Sequence, residues 1–387
     1  MVYSPQELRR LCVIIASVAK YIHELEEWPS YRYDPVALLS SLEQVNLKRG
    51  RLFGVLEAIG FEGLREQDVE ALTEELVKSS AIEGEKLDLE TVKNSVARRL
   101  GVETAGIARA DHYVDGLVEM AVDAGQRYEV ALTAERIFNW HSALFPTGRN
   151  AFGRVTVGNW RDDSNGPMVI ASQRRGSELI HYEAPAAERV PGEMSRFLKW
   201  VEAENEESGI LKAGIAHIWF ESIHPLDDGN GRIGRNIMDL LLARADQKKH
   251  RPYSLASQIH LHRDQYYEIL ESTQKGSLDY TEWLNWYLEM LLKTLNVAVD
   301  TVGKAIERTR FWQQIKDTPL NERQRKVISR MLMGWEGRMT NKKYAKLCDC
   351  SDATATRDLG DLVAKSILRS DGAGGRSVGY ELDRFVA

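Results

Sequence analysis

Apolar residues recur at intervals of three and four along most of the chain, a spacing that predicts a mainly α-helical protein. Leu38, Leu39, Leu42, Val45 and Leu47 follow the aromatic stretch Trp28-Pro29-Ser30-Tyr31 and mark a helix within residues 28–60. Val69, Leu72, Leu76 and Val77 mark another over residues 67–82, which Gly84 can end as a left-handed cap. A third has Asp88 as its N-cap, carries Val92, Val96 and Leu100, and stops at Gly101. Helical patterns recur around Leu117, Ile137, Ile218, Ile237, Leu270 and Trp286. Residues 11–19 also read as a helix, too short to span a bilayer. Between Arg154 and Tyr182 the period shifts toward two, through Val155, Val157, Val169, Ile170, Leu179 and Ile180, which predicts a β-hairpin turning at residues 173–177. Residues 297–316 read as a linking helix. Helices over 324–332, 341–347 and 351–367 follow, and then Gly372, Gly374 and Gly375 turn the chain into Val378-Gly379-Tyr380-Glu381-Leu382.

Composition changes this picture little. The 387 residues leave room for two or three domains, and 43% hydrophobic with 28% charged residues is the balance of an ordinary globular chain. Cys12, Cys348 and Cys350 supply neither a disulfide framework nor a four-ligand zinc set, so a reducing cytoplasm is expected, with no membrane contact. The net charge is −6, yet residues 321–387 carry an excess of Lys and Arg.

The densest chemistry lies in His224-Pro225-Leu226-Asp227-Asp228-Gly229-Asn230-Gly231-Arg232-Ile233-Gly234-Arg235. A helix delivers His224 at its end, where Pro225 resists continuation, and a second helix begins after the glycines. Free amides at a helix N-terminus, glycines that let the backbone curl, and two arginines three apart suit a phosphate. Asp228 can hold a divalent cation that bridges the same phosphates. Gly229, Gly231 and Gly234 also fit the spacing of a dinucleotide fingerprint, but that motif follows a strand, and here a helix precedes it. His141, among apolar neighbours, reads as a structural histidine.

These residues resemble the signature of the Fic (filamentation induced by cAMP) family, His-Pro-Phe-x-(Asp/Glu)-Gly-Asn-Gly-Arg-x-x-Arg, with Leu226 in place of the Phe. The resemblance implies transfer of AMP from ATP, with Mg2+ or Mn2+, to a Ser, Thr or Tyr hydroxyl of a target protein. His224 would be the base and Asp228 the metal ligand, while Gly229, Asn230, Gly231, Arg232 and Arg235 would hold the nucleotide. Tyr266 and Tyr267 resemble the family's adenine-side aromatics. Ser79, Glu83 and Gly84 match its inhibitory signature (Ser/Thr)-x-x-x-Glu-(Gly/Asn), which pairs Glu83 with Arg235. The hairpin, about residues 168–182, corresponds to the flap that holds the target by strand addition.

The expected organisation is an N-terminal helical domain (1–110) with its inhibitory helix (about 67–84), a Fic core (111–298), a linker helix (299–319) and a winged helix (320–387). In the last, Ser351 would cap a recognition helix with Thr354, Thr356, Arg357 and Asp358 on its open side, facing DNA. A homodimer is possible. Removal of AMP at the same site, and a nucleotide-sensing transcriptional regulator, remain open as alternatives.

Overall fold

The most apolar helices form the centre of the first unit, and the rest is arranged around them. The computed structural model describes residues 20–59, 62–102, 112–151, 153–164, 166–174, 177–204, 207–249, 251–372 and 378–383. The helix expected over residues 11–19 and the turn glycines Gly374 and Gly375 lie outside these. After a 3₁₀ turn at Ile22–Glu24 come α1 (Pro35–Ile59), α2 (Glu62–Ile82), α3 (Leu89–Arg99), α4 (His112–Gln126) and α5 (Ala134–Leu144). The hairpin β1 (Val169–Arg174) and β2 (Ser177–Glu183) precedes α6 (Val190–Glu202), α7 (Gly209–Ile223), α8 (Asn230–Asp246), α9 (Leu255–Leu261), α10 (Arg263–Gln274) and α11 (Thr281–Gln314). Then follow α12 (Glu322–Leu332), α13 (Asn341–Cys348), α14 (Asp352–Ala364), β3 (Leu368–Ser370) and β4 (Tyr380–Leu382). The chain divides into two compact units, Met1–Val299 and Asp300–Ala387.

In the first unit α7 and α8 pack as neighbours joined by residues 224–229. Ser208 caps α7 by accepting the Leu211 amide, and apart from the half-buried Lys212 every side chain from Ile210 to Ile223 is buried. A helix covered all round needs close neighbours. One is the start of α11, where Trp283 Nε1 donates to the Gly214 carbonyl at 2.8 Å and a Cβ on Gly214 would stand 2.8 Å from the Tyr287 ring. Another close crossing joins α4 and α5, where a Cβ on Gly116 would fall 1.9 Å from the Ala143 carbonyl oxygen. Thr133 and Asp88 cap α5 and α3 as polar residues at those positions should.

Two expectations need correction in this unit. Pairing begins only at Val169, so Val155 and Val157 are not strand residues; Val155 is buried in a loop, its amide held by the Gly148 carbonyl at 3.0 Å. The helix expected over 299–319 is not separate but the last part of α11, which runs unbroken over Thr281–Gln314, with no proline in that stretch to stop it. The hairpin pairs antiparallel, with an irregularity between Ile170 and Ala171, and Tyr182 fixes its base by donating to the Ser222 carbonyl at 2.7 Å.

In the second unit three helices and the antiparallel pair β3–β4 surround Val327, Ile328, Met339, Tyr344, Leu359, Leu362 and Ile367. Asn321 and Gln324 make a reciprocal capping box on α12, and Ser351 caps α14. Thr356 and Arg357 are exposed on α14, as expected, and Thr354 is half-buried. Asp358 is not on the open side. It is 6% exposed and accepts from Arg323, Asn321 and Tyr344, whose hydroxyl donates at 2.9 Å, because the helix turns that position toward the core.

Candidate active site

The loop between α7 and α8 is built mainly from backbone, and its side chains serve to hold it. His224 ends α7 in the left-handed region (φ 49°), its amide closing onto the Phe220 carbonyl. That conformation is uncommon for a residue with a Cβ, and here it turns the imidazole out of the helix at the start of the loop. Arg161, only 3% exposed, fastens the loop's first residues. Its amide donates to the Pro225 carbonyl at 2.9 Å and its Nε to the His224 carbonyl at 2.8 Å, while its other nitrogens reach Asp163 and the Pro185 carbonyl. His141 Nε2 lies 3.2 Å from the Asp228 carbonyl, and Asn150 donates to Asp228 Oδ2 at 2.7 Å. Asp227 accepts the Thr156 amide.

Asn230 is the innermost brace. Its Oδ1 accepts the Leu226 amide at 2.9 Å and its Nδ2 donates to the Leu226 carbonyl at 2.7 Å, with the residue 2% exposed. The expectation that this side chain helps hold the nucleotide is therefore corrected: both polar atoms are spent on the loop itself. Leu226, fully buried, occupies the place of the family Phe without disturbing this brace. Gly229 (φ 79°) precedes α8 without any side-chain cap, which leaves the first-turn amides of the helix free of side-chain partners.

Both loop arginines are buried against carboxylates that arrive from the end of α2. Arg235 gives Nε to the Ser79 hydroxyl at 2.9 Å, and Nη2 to the Ser79 carbonyl at 2.9 Å and to Glu83 Oε1 at 2.8 Å. Burial opposes its charge, but the Glu83 carboxylate outweighs that and holds the guanidinium firmly protonated. Glu83 also covers the loop, since a Cβ on Gly231 would stand 2.2 Å from its Oε1. Gly84 (φ 84°) then turns the chain so that Glu85 reaches the other arginine. Arg232 Nη1 donates to both Glu85 oxygens at 3.0 Å and to the Tyr113 hydroxyl at 2.6 Å, and its guanidinium stacks over Phe145. Arg263 Nε and the Tyr267 hydroxyl both donate to the Ile82 carbonyl, at 2.6 and 3.2 Å, and so pin the end of α2 to α10.

Behind His224 lies a second buried layer. Nδ1 of the imidazole is 3.4 Å from the Glu221 carbonyl and 3.8 Å from Glu221 Oε2. Burial, with Arg161 adding to it, pushes the imidazole down to about 4, so it is neutral and able to accept a proton at neutral pH. Burial and the charge of Glu83 push Glu221 up to about 8, against the pull of Arg235. His217, pushed down to about 3 chiefly by burial, lies 2.8 Å from the Tyr266 hydroxyl.

The structure thus brings Ser79, Glu83, Gly84, His224, Asp228, Gly229, Asn230, Gly231, Arg232 and Arg235 into one cluster. Tyr266 departs from expectation. Its ring is 1% exposed, lodged against Trp286 and His217, and offers no face to a base, whereas Tyr267, at 36%, remains open. Glu85, Tyr113, Asn150, Arg161 and Glu221 were not anticipated. Each lies outside the two signatures, and only the packing around the loop reveals its role.

A helical core carrying a flap hairpin and this loop is the Fic class of fold. Residues 131–242 match the Fic/DOC family, and residues 21–102 match a domain of unknown function (DUF4172). The chain therefore carries a Fic/DOC domain. Among curated relatives, "Protein adenylyltransferase Fic" of Drosophila mojavensis is 26% identical over 265 residues, covering 67% of this chain and 46% of the relative. The protein of the same name from Culex quinquefasciatus is 26% identical over 245 residues, covering 61% and 43%. The chain thus spans about half the length of these relatives. The solved structure of a Fic family protein from Desulfovibrio desulfuricans G20 superposes with a TM-score of 0.55 at 23% identity, covering 92% of this chain and 98% of that one. Fic-1 (aa134 - 508) from C. elegans gives 0.52 at 17%, covering 71% and 75%. Both share the fold.

Proposed function

We propose that the chain is a protein adenylyltransferase, moving AMP from ATP to a Ser, Thr or Tyr hydroxyl of a target protein, and that Glu83 holds it inactive. The observation that carries this reading is the Glu83–Arg235 pair at 2.8 Å above an uncapped helix N-terminus. Arg235 is the group placed to take the γ-phosphate, and a carboxylate on it competes for the same donors. Arg232 and the first amides of α8 would grip the remaining phosphates.

His224, neutral at pH 7, takes the proton of the target hydroxyl at Nε2 as the hydroxyl oxygen bonds to the α-phosphorus. The bond from that phosphorus to the bridging oxygen breaks, and pyrophosphate leaves. Asp228 fits a magnesium ion, because a single hard carboxylate at a phosphate loop is what such an ion needs when waters and phosphates complete its shell. When bound, the ion would neutralise phosphate charge. Asn150 and the Gly229 amide already orient that carboxylate. The target segment would add along the hairpin, where Leu179 and Ile180 are exposed.

The test is incubation of cell lysate with Glu83→Gly and isotope-labelled ATP, read by mass spectrometry. AMP-modified proteins or self-modification should rise well above wild type and vanish in Glu83→Gly/His224→Ala. Equal labelling by wild type and Glu83→Gly would sink the inhibitory role, and labelling that survives loss of His224 would sink the mechanism. Hydrolytic removal of AMP is the second reading, favoured by Glu83 standing over Gly231, where a carboxylate could order a water. A time course on AMP-labelled protein separates the two directions.

A further inference from the structure

Glu221 is a carboxylate beside His224 that the mechanism above leaves unused. It is 7% exposed, and among the described residues its buried Oε1 has no hydrogen-bond partner. Arg235 Nη1 is likewise buried without a partner. The two lie beneath the glycines of α8: a Cβ on Gly234 would come 2.7 Å from Glu221 Oε1, and one on Gly231 3.1 Å from Arg235 Nη1. An unpaired carboxyl oxygen in a covered layer costs stability unless something else uses it.

We infer that Glu221 is the positioning residue of the base, holding His224 through its main-chain carbonyl and standing behind it with its carboxylate as counter-charge to the imidazolium. The contact from the carbonyl to Nδ1 at 3.4 Å favours the tautomer with its proton on Nδ1, which leaves the Nε2 lone pair for the target hydroxyl. Once Nε2 has taken that proton, the ring is positive inside a buried site, and Oε2 at 3.8 Å is a carboxylate atom close enough to stabilise it. The step moves one proton from the hydroxyl to Nε2; Glu221 exchanges none with the substrate. This inference rests on the proposed AMP transfer.

The carboxyl does this only when ionised, and its surroundings set when that happens. Glu83, from the turn after α2, and burial both keep the proton on, while Arg235 of α8 favours its loss. Tyr266 and Tyr267 of α10 face the same group, and His217 lies one turn earlier on α7. His224 itself is influenced by Arg161, Glu83 and Asp228. Removing Glu83 therefore lowers the pH at which Glu221 ionises, so the substitution that frees Arg235 also supports the base.

The experiment compares Glu83→Gly with Glu83→Gly/Glu221→Gln at saturating ATP from about pH 6 to about pH 9. In the first, kcat should climb with pH as Glu221 loses its proton. In the second that limb should be missing and kcat at the alkaline end should fall roughly tenfold, with KM for ATP little changed. Superimposable pH profiles, or a change confined to KM, would overturn the inference. Because no AMP transfer by any variant would defeat the proposed function instead, NMR of ring-labelled histidine gives a readout without turnover. The His224 signals of the wild-type chain should show a second inflection where Glu221 titrates, absent in Glu221→Gln. A single inflection in the wild-type chain would rule the pairing out.

Discussion

Asn230 illustrates how a residue inside a signature can spend both of its side-chain polar atoms on the loop that carries it. Its amide replaces a missing backbone partner on both sides of Leu226, and the loop curves because that clamp is tight. Asn230→Ala should cost about 2–3 kcal/mol in urea unfolding, since two buried backbone groups lose their partner, and should abolish AMP transfer together with nucleotide binding. Unchanged stability would mean that the loop holds its curve by other means. The twelve contiguous letters of the loop were legible in the sequence because their chemistry is local. Tyr266 and Tyr267 were not separable there, since neighbouring helix positions differ by about 100° in direction and only the packing of α10 against Trp286 decides which ring is enclosed.

At the scale of elements, the turn after α2 does more than its signature indicates. Glu83 and Glu85 occupy Arg235 and Arg232 in turn, so both arginines proposed to take phosphate are already paired. Glu85 is 40% exposed on its side chain and its pair is worth little, about 0.5–1 kcal/mol. In the Glu83→Gly background, Glu85→Gln should therefore tighten binding of a non-hydrolysable ATP analogue by roughly two- to fivefold in calorimetry. Weaker binding would show that Glu85 presents Arg232 rather than occupies it. Helix existence was readable from spacing wherever one face is polar. Ends were readable where a cap marks them, as at Asp88 and Gly84. What spacing could not reveal is that the helical patterns on either side of residue 298 belong to a single helix, α11.

The chain divides into a first unit, which holds the Fic/DOC match at residues 131–242, and a second whose described residues form three helices and a two-stranded ribbon. That second unit exposes Thr356 and Arg357 on α14. If it meets DNA, full-length protein should bind duplex with an affinity that falls steeply with salt, and Arg357→Ala should reduce the salt slope by about one. No binding to any duplex at low salt would leave the unit as a protein-interaction module. Among the described residues no helix is long and apolar enough to cross a membrane. The pairing of α2 with the loop also sets an order in time. Glu83 precedes Arg235 by 152 positions, and ribosomes add about 5–20 residues per second, so the carboxylate is made roughly eight to thirty seconds before the guanidinium that it meets. On the proposed reading, a nascent chain completes its catalytic loop against a partner that has already emerged, and the enzyme is born restrained rather than restrained afterwards.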